Sequence, residues 1–273
     1  MARRWTKTEE KKHYSSLFAL YVKENKSLKD IAKILNLSES TVFLRLKRLG
    51  IKTNPSSKKF YLNRRSDLST PKVRNEDMAE LFGILLGDGH ISHFQVSVTL
   101  GTKELEYVQY ICSLMNKIFG VCPKVCLRKT GHRDVYLGSV FLTNWFLKHG
   151  LVNNKVKSQV GVPKWIFSRK VFMNRFLRGF FDTDGSIYKL RFGIQISFNN
   201  RSMPLLQSSQ IMLKRLGYKS SEVSSYKVYL TKISDVKRFF LDISPKNQKH
   251  QRRYQEFIKP ITRRSDSGYS RRL

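Results

Sequence analysis

Acidic residues are scarce in this sequence: 20 Asp and Glu stand against 52 Lys and Arg among 273 residues, a net charge of +32. Self-repulsion on that scale calls for a polyanionic partner. The surplus runs through the whole chain, with 19 basic against 6 acidic residues in 1–75 alone, so both ends are expected to meet phosphate. Cysteine is equally sparse. Cys112, Cys122 and Cys126 form no Cys-x-x-Cys pair and no matching His/Cys set follows. That excludes a zinc ribbon, and the odd count excludes a simple disulfide framework. All three are expected as buried thiols in a reducing compartment. Long apolar runs are missing too. The longest, such as Leu81 to Leu86, fall far short of a bilayer span, and the first residues, Met1 to Lys7, hold no apolar signal core. The expectation is a soluble, intracellular protein with no membrane partner. Hydrophobic residues still make up 40% of the chain, enough to bury a core. Charge by itself does not separate DNA from RNA.

Residues 1–52 read as helical. A first helix is expected over Glu9 to Lys23. Ser27 caps a second, with Asp30 three residues on as in a capping box. Ile31, Ile34 and Leu35 form its apolar face, and Asn36-Leu37 makes a short turn. Ser38 caps a third helix, whose inward stripe is Val42, Leu46 and Leu49 and whose end is Gly50. Two short helices joined by a tight turn resemble a helix-turn-helix module. Its second helix carries Ser40, Thr41, Arg45 and Arg48 outward as candidate DNA contacts. Residues 53–75 read as a basic linker, bounded by Thr53-Asn54-Pro55-Ser56-Ser57 and Ser69-Thr70-Pro71, with Lys58, Lys59, Arg64 and Arg65 between.

From Asn75 the chain repeats itself. Leu81 to Gly89 opens the first copy. A strand ending at Leu100 follows, then a helix from Lys103, two strands and a helix around Trp145. Leu177 to Gly185 opens the second copy. After it come Ile194 to Phe198, a helix over Met203 to Leu216, Val228-Tyr229-Leu230, and a helix containing Arg238 to Leu241. The expected fold is α+β: two pseudo-symmetric αββαββα half-domains, 76–161 and 162–273 with a basic tail, preceded by the small helical domain. Two similar halves suit the two-fold symmetry of duplex DNA.

The opening segments carry the chemistry. Leu81-Phe82-Gly83-Ile84-Leu85-Leu86-Gly87-Asp88-Gly89 and Leu177-Arg178-Gly179-Phe180-Phe181-Asp182-Thr183-Asp184-Gly185 both resemble the LAGLIDADG signature. Val162 to Phe167 resembles the lead-in common in that family. Small residues four apart, Gly83 with Gly87 and Gly179 with Thr183, let two helix backbones approach closely. Asp88 and Asp184 then come together at the helix C-termini. The negative end of the macrodipole and their mutual repulsion both disfavour them there. A divalent cation relieves both, and all-oxygen ligands favour Mg2+, with Mn2+ as a substitute.

The resemblance is to single-chain, two-motif homing endonucleases, and covers about residues 76–260. It implies a monomeric Mg2+-dependent endonuclease. Such an enzyme hydrolyses one phosphodiester per strand of a long, near-palindromic double-stranded DNA target. It further implies metal ligation by Asp88, Asp184 and the Gly87 and Thr183 carbonyls. A polar residue after the second strand, Asn200 in one copy and the less fitting Thr102 in the other, orients the attacking water. A lysine after the fourth strand assists, which Lys232 matches and Ser139 does not. Leu86 stands where the second motif has Asp182. These differences imply two unequal cutting sites. Strands after each motif are expected to lie over the major groove. Candidate readers are His93, Gln95, Ser97, Lys189, Arg191, Gln195 and Ser197, with Arg128, Lys129, Arg133, Lys219, Tyr226 and Lys227 at the flanks.

Two other classes fit the same modules: a non-cleaving DNA-binding regulator and an RNA maturase acting on intron RNA. Retention of both aspartates favours cleavage. An intein is disfavoured, because no His-Asn splice junction ends the chain. His90 and His93 beside Asp88 are read as strand residues rather than zinc ligands.

Overall fold

The structure, a computed structural model, describes residues 5–24, 26–51 and 67–258. Most of the basic linker and the last residues of the tail lie outside them. The chain divides into two compact units, Met1–Arg64 and Arg65–Leu273.

The first unit is helical. α1 (Lys7–Phe18) starts at a capping box formed by Thr6 and Glu9, and runs into a π-helical turn, Ala19–Lys23. α2 (Leu28–Ile34) and α3 (Glu39–Arg48) start at Ser27 and Ser38, whose hydroxyls accept the Asp30 and Thr41 N–H groups. Between them Asn36 takes φ of +48°, which closes the tight turn, and Gly50 stands at +66° just past α3. Leu17, Ile31, Ala32, Val42, Leu46 and Ile51 pack into one small core. The expected helix pair and its caps are thus present; Leu49 is only half-buried, and Ile51 closes the core instead.

The second unit is a duplicated α+β fold. Its first copy comprises α4 (Glu76–Gly87), β1 (Gly89–Ile91), β2 (Gln95–Leu100), α5 (Leu105–Phe119), β3 (Lys124–Leu127), β4 (Arg133–Gly138) and α6 (Val140–Lys148). The second comprises α7 (Lys170–Asp184), β5 (Gly185–Leu190), β6 (Gly193–Asn199), α8 (Met203–Arg215), β7 (Lys227–Leu230) and α9 (Ile233–Asp242). A last helix, α10 (Gln248–Ile258), follows, beyond the helices expected from the sequence. Both sheets are antiparallel, ordered β1-β2-β4-β3 and β5-β6-β7.

One expected strand is missing. In the second copy the partner of β7 shrinks to isolated bridges at Ser220 and Ser224. Its sequence, Lys219-Ser220-Ser221-Glu222-Val223-Ser224, has Val223 as its one apolar residue, whereas Lys124-Val125-Cys126-Leu127 in the first copy is apolar but for its lysine. The cysteines also differ from expectation. All three are free, but Cys122 and Cys126 are exposed and Cys112 is half-buried; Cys126 sits on edge strand β3, every residue of which is exposed. No described helix is long and apolar enough to cross a membrane.

One continuous core joins the two copies. Alternate strand residues face it: Val96, Val98 and Leu100 from β2, Ile194, Ile196 and Phe198 from β6, Val135 and Leu137 from β4, Val228 and Leu230 from β7. The opposite face of each sheet is left open. At the centre, α4 and α7 cross in direct backbone contact.

Candidate active site at the paired helix ends

Glycine sets that contact. A methyl group on Gly83 would overlap the Phe176 carbonyl and stand 2.8 Å from the Phe180 nitrogen; one on Gly179 would overlap the Glu80 carbonyl and stand 2.9 Å from the Ile84 nitrogen. These residues correspond pairwise along the two motifs, so the crossing is a local two-fold. The third small position works the same way. A methyl group on Gly87 would overlap the Thr183 side chain and lie 3.4 Å from Asp184 Cγ. Asp88, the C-cap of α4, and Asp184, the last residue of α7, therefore end side by side.

The electrostatics follow from that placement. Asp184 is half-buried, and its carboxyl is held well above the usual carboxylate range, by burial first and by the Asp88 charge next. Asn200 Nδ2 opposes this by donating to Asp184 Oδ2 at 2.5 Å. Asp88 is more exposed, yet the protein crowding its carboxyl strips enough water to raise it too, against the pull of Lys155 and Lys249. Among the described residues no side chain donates a hydrogen bond to the Asp88 carboxylate.

Two lysines enter from the segments that follow the last helix of each copy. Lys155 Nζ donates to the Gly87 carbonyl and to the Leu85 carbonyl, the latter at 3.1 Å. It places a positive charge on the negative end of α4 and acts on both aspartates. Lys249 pairs with Glu104 Oε1 at 3.0 Å and also faces both aspartates. Glu104 is fixed by the Gly101 N–H and Asn247 Nδ2, each at 2.7 Å.

Sequence reading missed both lysines and named Lys232 instead. Lys232 is the exposed N-cap of α9, and the lysines whose charge reaches the aspartates are Lys155 and Lys249. A signal was present: Asn153-Asn154-Lys155 and Asn247-Gln248-Lys249 repeat Asn-x-Lys after each last helix. Thr102 is also misplaced. Gly89 pairs with Val98 and Gly185 with Phe198, which aligns Asn200 with Leu100, not Thr102. The second hairpin is the longer, so a constant spacing fails across it. Asp182 also stands apart from the Asp88 and Asp184 pair. It is buried, and its carboxylate accepts the Lys246 and Asn247 N–H groups, anchoring the approach to α10.

The candidate readers divide. Gln95, Ser97, Gln195 and Ser197 lie on the open faces, with Tyr229 opposite Ser197 and Lys227 opposite Asn199. Ser97 and Ser197 are buried there, and the Ser197 hydroxyl bonds Asn199 Oδ1 at 3.2 Å rather than reaching outward. Lys189 pairs with Ile194 and so lies on the core-side rim. Arg191 lies in the turn with its guanidinium over Phe192. Arg133 is opposite Leu100 and donates to the Thr102 carbonyl at 3.0 Å. Arg128 pairs with Asp134. In the first unit Ser40 and Arg48 are exposed, the Thr41 hydroxyl sits 2.7 Å from that of Ser38, and Arg45 stacks over Trp5 at 3.6 Å.

The residues present suit a divalent cation. Two carboxylates and nearby backbone carbonyls supply oxygen only, and both carboxyls, raised first by burial, stand where a cation would favour their charged form. Among the described residues no cluster of three His, Cys, Asp or Glu competes for such an ion. The LAGLIDADG-like family model matches residues 172–255, from within α7 to within α10.

Other similarities are lower. Over 195 residues, 68% of the chain, it is 25% identical to the replication factor C small subunit of Methanocaldococcus jannaschii; over 161 residues, 52% of the chain, it is 26% identical to the DNA polymerase of that organism. The matched stretches make up only 10% and 9% of those proteins. Among solved structures it is similar to the homing endonuclease I-WcaI bound to its DNA recognition sequence (14% identity, TM-score 0.47, 73% of this chain and 92% of that one). It is also similar to I-DmoI in complex with DNA and Mn (16%, 0.45, 62% and 96%) and to the N-terminal LAGLIDADG domain of DUF199/WhiA (16%, 0.46, 67% and 90%).

Proposed function

We propose that this chain is a site-specific DNA endonuclease that cuts both strands of a duplex in a Mg2+-dependent reaction, with Mn2+ able to substitute. The observation that carries the reading is the juxtaposition of Asp88 and Asp184 at the ends of two helices in backbone contact, bordered by the open faces of two antiparallel sheets. The net charge of +32 supplies the affinity for a phosphate backbone.

Asp88 and Asp184 would hold the metal, with the Gly87 and Thr183 carbonyls next to them. When bound, the ion supplies acidification of a water molecule and neutralisation of charge developing on phosphate oxygens. The chain's own groups do the rest. Asn200 holds the Asp184 carboxylate in orientation through its 2.5 Å bond. Lys155 and Lys249 bring positive charge to the place where two phosphates approach. The open faces, through Gln95, Gln195 and Lys227, read bases between the strands' ends. Ser40, Thr41 and Arg48 of α3 contact a further DNA segment in the helix-turn-helix manner. Only Asp184 has its Asn200, so the two strands are cut at unequal rates. The protein acts as a monomer, because both halves of the site lie in one chain.

The test is incubation of the full chain with a randomised duplex pool and Mg2+, with sequencing of the cleaved ends. Cleaved ends that share one sequence and vanish with EDTA support the reading. Tight selection of one sequence with no cleavage in Mg2+ or Mn2+ replaces it with a non-cleaving DNA-binding regulator.

A further inference from the structure

Two positions made equivalent by strand pairing carry opposite charge. Val98 pairs with Val135 in the first sheet and Phe198 with Val228 in the second. One step further along each ladder, Thr99 lies opposite Asp134 and Asn199 opposite Lys227. Val98, Val135, Phe198 and Val228 are completely buried, so their neighbours face the open side. Both pairs adjoin the candidate active site. The Thr99 N–H donates to the Asp88 carbonyl at 3.4 Å and Asn199 Nδ2 to the Asp184 carbonyl at 3.3 Å.

Asp134 does not stand alone on its face. Its Oδ1 accepts the Thr99 hydroxyl at 2.7 Å and its Oδ2 accepts Arg128 Nε at 2.6 Å. Arg128 Nη2 reaches back to the Thr99 hydroxyl at 3.4 Å. Burial works to raise the Asp134 carboxyl, but the Arg128 and Thr99 bonds outweigh it and hold it below the usual range, so the group is an anion. Arg128 is held along its Nε and Nη2 edge, and its side chain keeps 52% exposure against 17% for Asp134. The Nη1 end has no protein partner among the described residues. An exposed ion pair adds little to stability, and an acid on a face turned toward phosphate opposes binding. A guanidinium fixed at one edge, with its other end free, is instead suited to a pair of acceptors lying in one plane.

We infer that Arg128, positioned by Asp134 and Thr99, reads a guanine near the centre of the first half-site, where the second half presents Lys227. The inference rests on the DNA-cleaving reading above and sharpens it. Guanine shows two acceptors, O6 and N7, in the major groove; adenine puts a donor in place of O6. The target then departs from palindromic symmetry at this position, because the two halves carry different readers.

The test is binding selection from a randomised duplex pool in EDTA, where nothing is cut, with the full chain, Arg128→Ala and Asp134→Asn. The wild-type chain should select one G·C pair on one side of the centre. In Arg128→Ala, preference at that pair should fall about tenfold to a hundredfold while other positions keep theirs. Asp134→Asn should weaken the same preference and raise affinity for duplexes lacking that guanine. The unchanged positions report that the fold is intact. If Arg128→Ala instead weakens all sequences alike, with base preference kept and the salt slope reduced by about one, Arg128 is a phosphate contact and the inference is wrong. It is equally wrong if both variants select as the wild type does. If the wild-type chain selects no sequence, the DNA reading fails, and this inference with it.

Discussion

Gly83 and Gly179 occupy equivalent places in the two motif helices, and each lies against the backbone of the other helix. No side chain fits between them. Gly83→Ala and Gly179→Ala should therefore each push the helices apart, at a cost of about 3 kcal/mol or more. Chemical denaturation would show this as a lower midpoint. Cleavage should drop as well, because the same contact sets the spacing of Asp88 and Asp184. A variant of full stability would contradict the crossing described.

Glu80 is a second determinant of how the halves join. It has no exposed surface, yet accepts from the Tyr110 hydroxyl, from Arg175 at 2.9 Å and from Arg178 at 3.4 Å. Its equivalent in the other motif is Phe176. Removing the charge leaves Arg178, which is nearly buried itself, without its Glu80 counter-charge and with the Ile243 carbonyl as its acceptor. Glu80→Gln should cost about 3–5 kcal/mol. A loss below 1 kcal/mol in a denaturant titration would mean that the cluster is better solvated than its burial indicates.

His250 predicts an acid sensitivity. It is wholly buried against the Phe181 ring, and among the described residues neither ring nitrogen has a hydrogen-bond partner. Burial first, then the Lys249 charge, holds its imidazole down to about 3. In the unfolded chain it titrates near 6.5, so the unfolded state takes up the proton first. Its contribution to stability is complete above about pH 6.5 and is lost as pH falls toward 3, by at most about 1.4 kcal/mol per pH unit. His250→Leu should leave stability at pH 7 unchanged or higher and flatten that part of the slope. An unaltered slope between pH 6.5 and 4.5 would assign the acid loss to other groups.

Much of this architecture was legible in the sequence. Glycine at i and i+4 marked the helix crossing, because only close backbone approach demands it. Ser27, Ser38 and Gly50 marked the ends of the short N-terminal helices, because caps are local chemistry. What was not legible depends on distance or on unequal loops. Lys155 reaches Gly87 across a loop that no periodicity describes, and Lys232 was chosen by counting along a strand. Thr102 was set beside Asn200 by reading along the strands, and the register of each hairpin puts Leu100 there instead. Arg45 has the position of a reader, but a tryptophan forty residues earlier takes its guanidinium. The missing strand at Lys219 to Ser224 gave fair warning through its serines. Buried Glu80, Asp182 and His250 each stand where the other copy or the pattern around them is apolar, and only packing reveals their partners.

The central claim is that Asp88 and Asp184 form one metal-dependent cutting centre. The most direct measurement is strand-resolved cleavage of the sequence recovered from the pool, with Mg2+, comparing the wild-type chain with Asp88→Asn and Asp184→Asn. The account predicts double-strand breaks by the wild type and loss of them in each variant, leaving single-strand nicks at most. Undiminished double-strand cleavage by either variant would contradict it.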